Sequence, residues 1–356
     1  MVRGSLAWML DVSSVDDFLK EKGFIFPLDL GGLRLLRYGS LHDSVLGLQV
    51  VLPDKEGTIL SSGMQTGNDL KQLFIGSDGT LGVITGATVL TPPRLAAVNV
   101  ALISVNDYAT IQKVFVLACQ KLGEIFSAFE FFYQQASDLV LKRTQRKDPF
   151  TSSEGPSPFY VLIKTSGSNK KHNDVVGSVF LFSIPAVLDA LIKTLMDSEM
   201  MSYEILSQDE AQLQSIWSFR ELISESFSKK LGNDSFNKAY CPMMELKGDC
   251  CRVFWGLDTL AMIEVLEPWI YEKIASHNGS ISTEHGLGLM KSPYLSFPQP
   301  PTNIRLMKSL KNLFDSQGML NPSKFLPWNP RLPVPFIFLL SAKPIVGHFV
   351  TCLEVS

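Results

Sequence analysis

The sequence predicts an α+β protein of two domains, and three observations carry that expectation. Runs at Val45 to Leu52, Gly57 to Leu60 and Gly82 to Leu90 alternate or stay apolar over strand length and are separated by turn residues. At Thr91-Pro92-Pro93 the third run is broken and the composition changes. Beyond that point strand-like and helix-like segments succeed one another with antiparallel signals, which suits helices on one face of an antiparallel sheet. The domain boundary is therefore placed at Pro92-Pro93, and 356 residues are ample for two cores.

In the first domain, Val15 to Lys22 reads as a short helix stopped by Gly23, followed by an extended piece, Phe24 to Leu28, that leads to Gly31-Gly32. Val45 to Leu52 and Gly57 to Leu60 make an antiparallel pair around the Pro53-Asp54 turn. The domain is organised around Asp69 to Thr85, DLKQLFIGSDGTLGVIT. Leu73, Phe74 and Ile75 form an apolar run, Gly76, Gly79 and Gly82 fall at every third position, and Val83 and Ile84 are apolar again, which reads strand, tight turn, strand. Glycines there accept positive φ and let another molecule approach the backbone, so successive N–H groups can converge on an anion or a heterocycle. Glycine spacing alone favours an ordinary hairpin with a bulge.

In the second domain Val98 to Val105 is a strand. Asn106 or Asp107 caps a helix that carries Tyr108, Ile111, Val114, Phe115 and Ala118 on one face and ends at Gly123. Phe129 to Phe132 and Phe159 to Ile163 are strands flanking a helix around Ala136 to Arg143. The helix from Asp209 to Phe227 places Leu213, Ile216, Trp217, Arg220, Ser224 and Phe227 on one stripe, which sets a guanidinium and a hydroxyl on an otherwise apolar face. Such a fork grips a carboxylate in two-point fashion, and an internal ion pair with an Asp or Glu of the same domain satisfies it as well. Glu264 to Ala275 is a helix, and Glu284 and His285 adjoin on an extended segment, where neighbouring side chains point to opposite faces. Asn303 to Gln317 is an amphipathic helix with Leu306, Leu310, Leu313 and Phe314 inward and Gly318 as its stop; a turn follows at Asn321-Pro322.

A formal charge of -3, with no Lys and Arg cluster interleaved with aromatics, argues against nucleic acid as a partner. The five cysteines are odd in number and lack CxxC spacing, so reduced thiols are expected rather than a disulfide framework or a zinc ribbon. No run approaches a membrane span, since the greasiest piece, Phe336 to Leu340, is bracketed by Pro335 and Pro344. The opening MVRGSLAWMLDV has neither secretory nor presequence character, so no targeting peptide is visible.

Five stretches, GGLRLLRYGSLHDSVLGLQVVLPD from Gly31, DLKQLFIGSDGTLGVIT from Asp69, SPFYVLIKTSGSN from Ser157, ISTEHGLG from Ile281 and LFDSQGMLNPSKFLP from Leu313, closely resemble the FAD-linked D-2-hydroxyglutarate dehydrogenases of the vanillyl-alcohol-oxidase-like flavoproteins. The resemblance implies a partial PCMH-type FAD-binding domain at 1–93, an FAD-linked oxidase C-terminal domain at 94–328 with a gap in the match near 232–262, and an unmatched tail at 329–356. It implies flavin contacts at Gly31, Gly32, Gly76, Gly79, Thr80, Gly82, Ile84 and Asn321. Arg220, Ser224 and His285 would hold a small 2-hydroxy acid, His285 would be the base, and Glu284 would be a ligand of zinc or another divalent metal. The implied reaction takes D-2-hydroxyglutarate to 2-oxoglutarate, with D-lactate or glycolate as alternative substrates and a non-catalytic module as the alternative role. Electron-transfer flavoprotein as acceptor, a homodimer and the mitochondrial matrix are implied in the same way.

The chain departs from the family in two places. Leu30 runs straight into Gly31 where the family has a pyrophosphate-cradling loop, and the first FAD subdomain that precedes it has no match in this sequence. Between Lys230 and Ile263 nothing resembles the segment that brings two metal histidines. His42, His172, His277, His285 and His348 lie too far apart to replace them. Both departures lead to the expectation of an impaired or absent activity.

Overall fold

The computed structural model describes residues 12–26, 35–63, 67–146, 157–168, 184–207, 209–230, 268–282, 286–289 and 291–327. The chain forms two compact units. One comprises Met1–Arg94 and Asp258–Ala342, the other Leu95–Leu257 and Lys343–Ser356. The predicted tail at 329–356 and the 232–262 gap lie outside the described residues.

The first unit opens with helix α1 (Val12–Glu21), stopped at Gly23, whose φ of 80° suits a residue without Cβ. Two single turns follow, α2 (Leu35–Tyr38) and α3 (Leu41–Ser44), the second capped by Ser40 Oγ accepting from His42 N at 3.2 Å. Strands β1 (Val45–Val51), β2 (Ile59–Ser62) and β3 (Val83–Val89) make an antiparallel sheet in the order β2-β1-β3, as the alternation predicted. Its core joins Leu41, Val45, Leu48, Val50, Phe74, Ile75, Leu81 and Ile84.

Two local expectations do not hold. The apolar run before the glycines is not a strand: Lys71–Phe74 is a helical turn, α4. Consecutive strand residues would face opposite ways, whereas the turn and the bend after it let both Phe74 and Ile75 enter the same core. The C-terminal helix, α9 (Pro301–Phe314), starts on a proline, but its inward stripe is Ile304, Met307, Leu310, Lys311 and Phe314. Leu306 and Leu313, expected inside, are 58% and 75% exposed. The helix is turned by the seating of Phe314, whose ring packs edge-on against Phe74 at 5.4 Å, and of Lys311, whose ammonium finds buried oxygens.

The second unit contains β4 (Ala97–Val105), α5 (Tyr108–Leu122), β5 (Phe126–Tyr133), α6 (Gln134–Thr144), β6 (Phe159–Gly167), α7 (Ile184–Asp197), β7 (Glu204–Leu206) and α8 (Glu210–Lys230). Asp107 caps α5, its carboxylate accepting from Thr110 N at 2.8 Å, which holds its pKa below the usual carboxylate range. The sheet runs β5-β6-β4-β7 and is antiparallel throughout.

The α+β class holds, but the sheet is covered on both faces rather than one. Ala101, Ile103, Val105, Val161 and Ile163 pack with α5 and α7 residues such as Val114 and Leu191. Val100, Leu102, Tyr160 and Leu162 pack with Ala136 and Val140 of α6 and with Leu213, Ile216 and Phe219 of α8. The near-continuous apolar run of β4 is the sign of this double burial, since a strand wet on one side alternates. Phe219, buried, joins the inward stripe of α8, and the Phe227 side chain lies outside the described residues. Among the described residues no helix is long and apolar enough to cross a membrane.

At the sheet edge Glu204 stands opposite Ile103, and its Oε2 is shut off from solvent without a hydrogen-bond partner among the described residues. Burial raises its pKa above the ordinary value, and the negative charge of Asp189 raises it further; Asp189 is itself raised by burial. A carboxyl whose folded pKa lies above its unfolded one costs stability as pH climbs through that interval and nothing once pH falls below both values. Glu204→Gln is therefore expected to raise the thermal midpoint at pH 7 and leave it nearly unchanged near pH 4; equal shifts at both would contradict a cost that comes from burying the ionised carboxylate.

Candidate functional site

The glycine turn of the first unit is built from its own backbone. Gly76, Asp78 and Gly79 have φ of 77°, 51° and 66°, and the turn is tied by Thr80 N to Ser77 O at 3.0 Å, Thr80 Oγ1 to Ser77 O at 2.7 Å and Ser77 Oγ to Phe74 O at 2.9 Å. Thr80 is thus turned inward on the chain, and Ile84 belongs to the core. A Cβ on Gly82 would lie 2.6 Å from Val50 Cγ1, and one on Gly79 would lie 2.8 Å from Asn321 Nδ2, so both glycines are required by close packing.

Residues more than 200 positions further along the chain grip this turn. Asn321 Nδ2 donates to Asp78 O at 2.6 Å, Gly288 N donates to Asp78 Oδ2 at 3.2 Å, and Lys311 Nζ donates to Thr80 O at 2.7 Å and Leu320 O at 2.8 Å. Lys311 is also paired with the buried carboxylate of Asp315, which accepts in turn from Met319 N at 3.0 Å and Leu320 N at 2.8 Å. Asp78, Lys311 and Asp315 were not singled out from the sequence. The signal was an Asp inside a glycine turn, and a lysine on the apolar stripe of a helix four residues before an aspartate.

With the turn so held, the amides of Gly76, Asp78 and Gly79 have no hydrogen-bond partner among the described residues. Positive φ at Gly76 and again at the adjacent Asp78 and Gly79 bends the backbone sharply, and such turns can gather N–H donors into a concavity, or nest. This donor set fits the carbonyl and ring-nitrogen acceptors of a flavin. Gly31 and Gly32 lie outside the described residues.

In the second unit Arg220 projects from α8 onto the sheet. Its Nη2 and Nε both donate to one oxygen of Glu130 on β5, Oε2, at 3.1 and 3.3 Å, with the two side chains 31% and 25% exposed. This is the internal ion pair that the pattern left open. Glu130 takes one edge of the fork, while Nη1 has no partner among the described residues. Ser224 lies one turn further along α8, while Glu284 and His285 lie outside the described residues. Among the described residues no group of three His, Cys, Asp or Glu is placed to hold a metal ion.

The family model of FAD linked oxidases, C-terminal domain, matches residues 94–242 and 248–325. The chain belongs to the FAD-linked oxidase family. Within it, the chain is 37% identical to the mitochondrial D-2-hydroxyglutarate dehydrogenase of Arabidopsis thaliana, over 87% of this chain and 61% of the relative. It is 35% identical to that of Bos taurus, over 89% and 63%. It is also 37% identical to a mitochondrial protein of Schizosaccharomyces pombe named as a D-lactate dehydrogenase, over 88% and 68%. The chain thus spans about six- to seven-tenths of the length of these relatives. The solved 4-ethylphenol oxidase from Gulosibacter chungangensis shares the fold, with a TM-score of 0.60 at 13% identity over 91% of this chain and 76% of that one.

Removing the Asp315 carboxylate leaves the Lys311 ammonium and two backbone N–H groups without their shared acceptor. Asp315→Ala is expected to cost about 3 to 5 kcal/mol, the range for breaking a buried pair, measured by urea unfolding. A loss under about 1 kcal/mol would show that the clamp does not hold the unit.

Proposed function

We propose that the chain is an FAD-dependent 2-hydroxy acid dehydrogenase that oxidises D-2-hydroxyglutarate to 2-oxoglutarate. The observation that carries this reading is Arg220, a guanidinium on a half-buried sheet face with one edge fixed by Glu130 and Nη1 left for a substrate carboxylate. FAD, when bound, supplies the hydride acceptor for the substrate's α-hydrogen. The chain's own residues do the rest. The nest at Gly76, Asp78 and Gly79 donates to the flavin, with Asn321 fixing the turn from behind. Arg220 holds the carboxylate, with Ser224 as a second donor, and His285 takes the proton of the substrate hydroxyl.

Glu284, outside the described residues, is the metal ligand this reading implies, and among the described residues no group of three His, Cys, Asp or Glu is placed to complete such a site. Electrons leave through a protein acceptor such as electron-transfer flavoprotein, in the mitochondrial matrix, a reading to which the mitochondrial names of relatives lend support only as far as the organelle. A homodimer is part of the same reading. The similarity to a protein named as a D-lactate dehydrogenase supports a second substrate reading, a 2-hydroxy monocarboxylate at the same arginine.

The test is the visible absorption spectrum of the purified chain, loaded with FAD and then given anaerobic D-2-hydroxyglutarate. A flavin band that bleaches with this acid is the expected result. Bleaching by D-lactate alone would replace the substrate, and a chain that takes up no FAD would leave a non-catalytic module.

A further inference from the structure

One imidazole nitrogen stands at the open side of the glycine turn. A Cβ built on Gly76, whose φ is 77°, would lie 3.9 Å from His42 Nε2, and Gly76 itself is exposed. His42 belongs to α3 and is tied to α4, the helical turn that runs into Gly76. Its Nδ1 lies 2.7 Å from Gln72 Oε1, while Gln72 Nε2 donates back to His42 O at 3.4 Å and to Asp69 Oδ2 at 3.3 Å. Nε2 has no hydrogen-bond partner among the described residues.

These contacts decide which nitrogen carries the proton. The Lys71 ammonium, and after it the Gln72 amide, hold the Asp69 carboxyl below the usual carboxylate range, so Asp69 only accepts, as does the His42 carbonyl. Gln72 must turn its NH2 group to both of them and its Oε1 to the ring. Nδ1 therefore donates to Gln72 Oε1, and the neutral ring keeps its lone pair on Nε2. Beside backbone amides that only donate, the turn presents one acceptor. The pyrophosphate of a dinucleotide has no proton to give it at neutral pH, whereas a ring edge that alternates acceptors with an N–H answers both kinds of group.

We propose that His42 recognises a ring edge of the bound dinucleotide: Nε2 accepts a ring-edge N–H while the amides of Gly76, Asp78 and Gly79 donate to the acceptors beside it. This rests on the reading of the chain as an FAD protein. Two edges of FAD have that alternation, O2, N3–H and O4 of the flavin and N1 with the N6 amino group of the adenine, and the same groups of the turn suit either.

Fluorescence titration of the full purified chain with FAD and two analogues, FAD methylated at flavin N3 and FAD dimethylated at adenine N6, tests this. Each analogue lacks the N–H of one edge. The unmutated chain is expected to bind one analogue about three- to tenfold more weakly than FAD and the other as it binds FAD, which identifies the ring. His42→Asn keeps an N–H toward Gln72 and removes the Nε2 acceptor, so it is expected to weaken FAD binding by the same factor and to bind FAD and that analogue alike. Equal binding of all three ligands by the unmutated chain, or unaltered FAD binding in His42→Asn, would overturn the role of His42 and leave the FAD reading in place. A chain that takes up no FAD would overturn both. Should His42→Asn fail to fold, the three ligands compared on the unmutated chain still decide.

Discussion

The ammonium of Lys311 bonds three oxygens, those of Asp315, Thr80 and Leu320, and the first unit is closed by that contact. A largely buried lysine needs its charge matched, and Asp315 matches it while its two oxygens also take up the amides of Met319 and Leu320. One ion pair therefore fixes the end of α9, the bend after it and the glycine turn that precedes β3. Asn321 and Gly288 add their bonds to Asp78 only because that bend and the 286–289 stretch are already in place. The strained left-handed backbone at Asp78 is held by these contacts rather than by its own preference, and the amides of Gly76, Asp78 and Gly79 keep no partner among the described residues.

The second unit solves a different problem. Its four-stranded sheet is buried on both faces, so a charged group on either face needs a partner from the covering helices or the neighbouring strand. Glu130 answers Arg220, and the Trp217 ring seats Lys164. Glu204, at the short edge strand, has no such answer for one oxygen among the described residues, and its raised pKa follows from that burial. Charge on this sheet is concentrated where α8 crosses it, which is why the substrate reading belongs to that helix.

Much of the fold was legible because it rests on local rules. The β1–β2 pair, the capped α5 and the break at Pro92-Pro93 follow from alternation, an Asp at the right position and paired prolines. The double cover of the sheet was written in the near-continuous apolar run of β4, which reads the same whether a helix or only part of a core lies beyond it. The rotation of α9 was not legible: its leucines suggest one stripe, and a lysine that must reach Thr80, 231 residues away, selects another. The candidate site divides in the same way. Gly79, Gly82 and Asn321 announced a tight turn, and the family resemblance pointed to Arg220. The partners that position them, Lys311, Asp315 and Glu130, carry no local motif because their function is set by distant segments of chain.

The central claim is that the turn at Gly76 to Gly82, held by the C-terminal bend, is where this chain meets a flavin. Hydrogen exchange of the full chain with and without added FAD addresses it most directly. Slowed exchange at the amides of Gly76, Asp78 and Gly79, with little change over the α5 and α7 helices, is the expected result. Protection confined to other segments, with the turn amides exchanging as before, would contradict it.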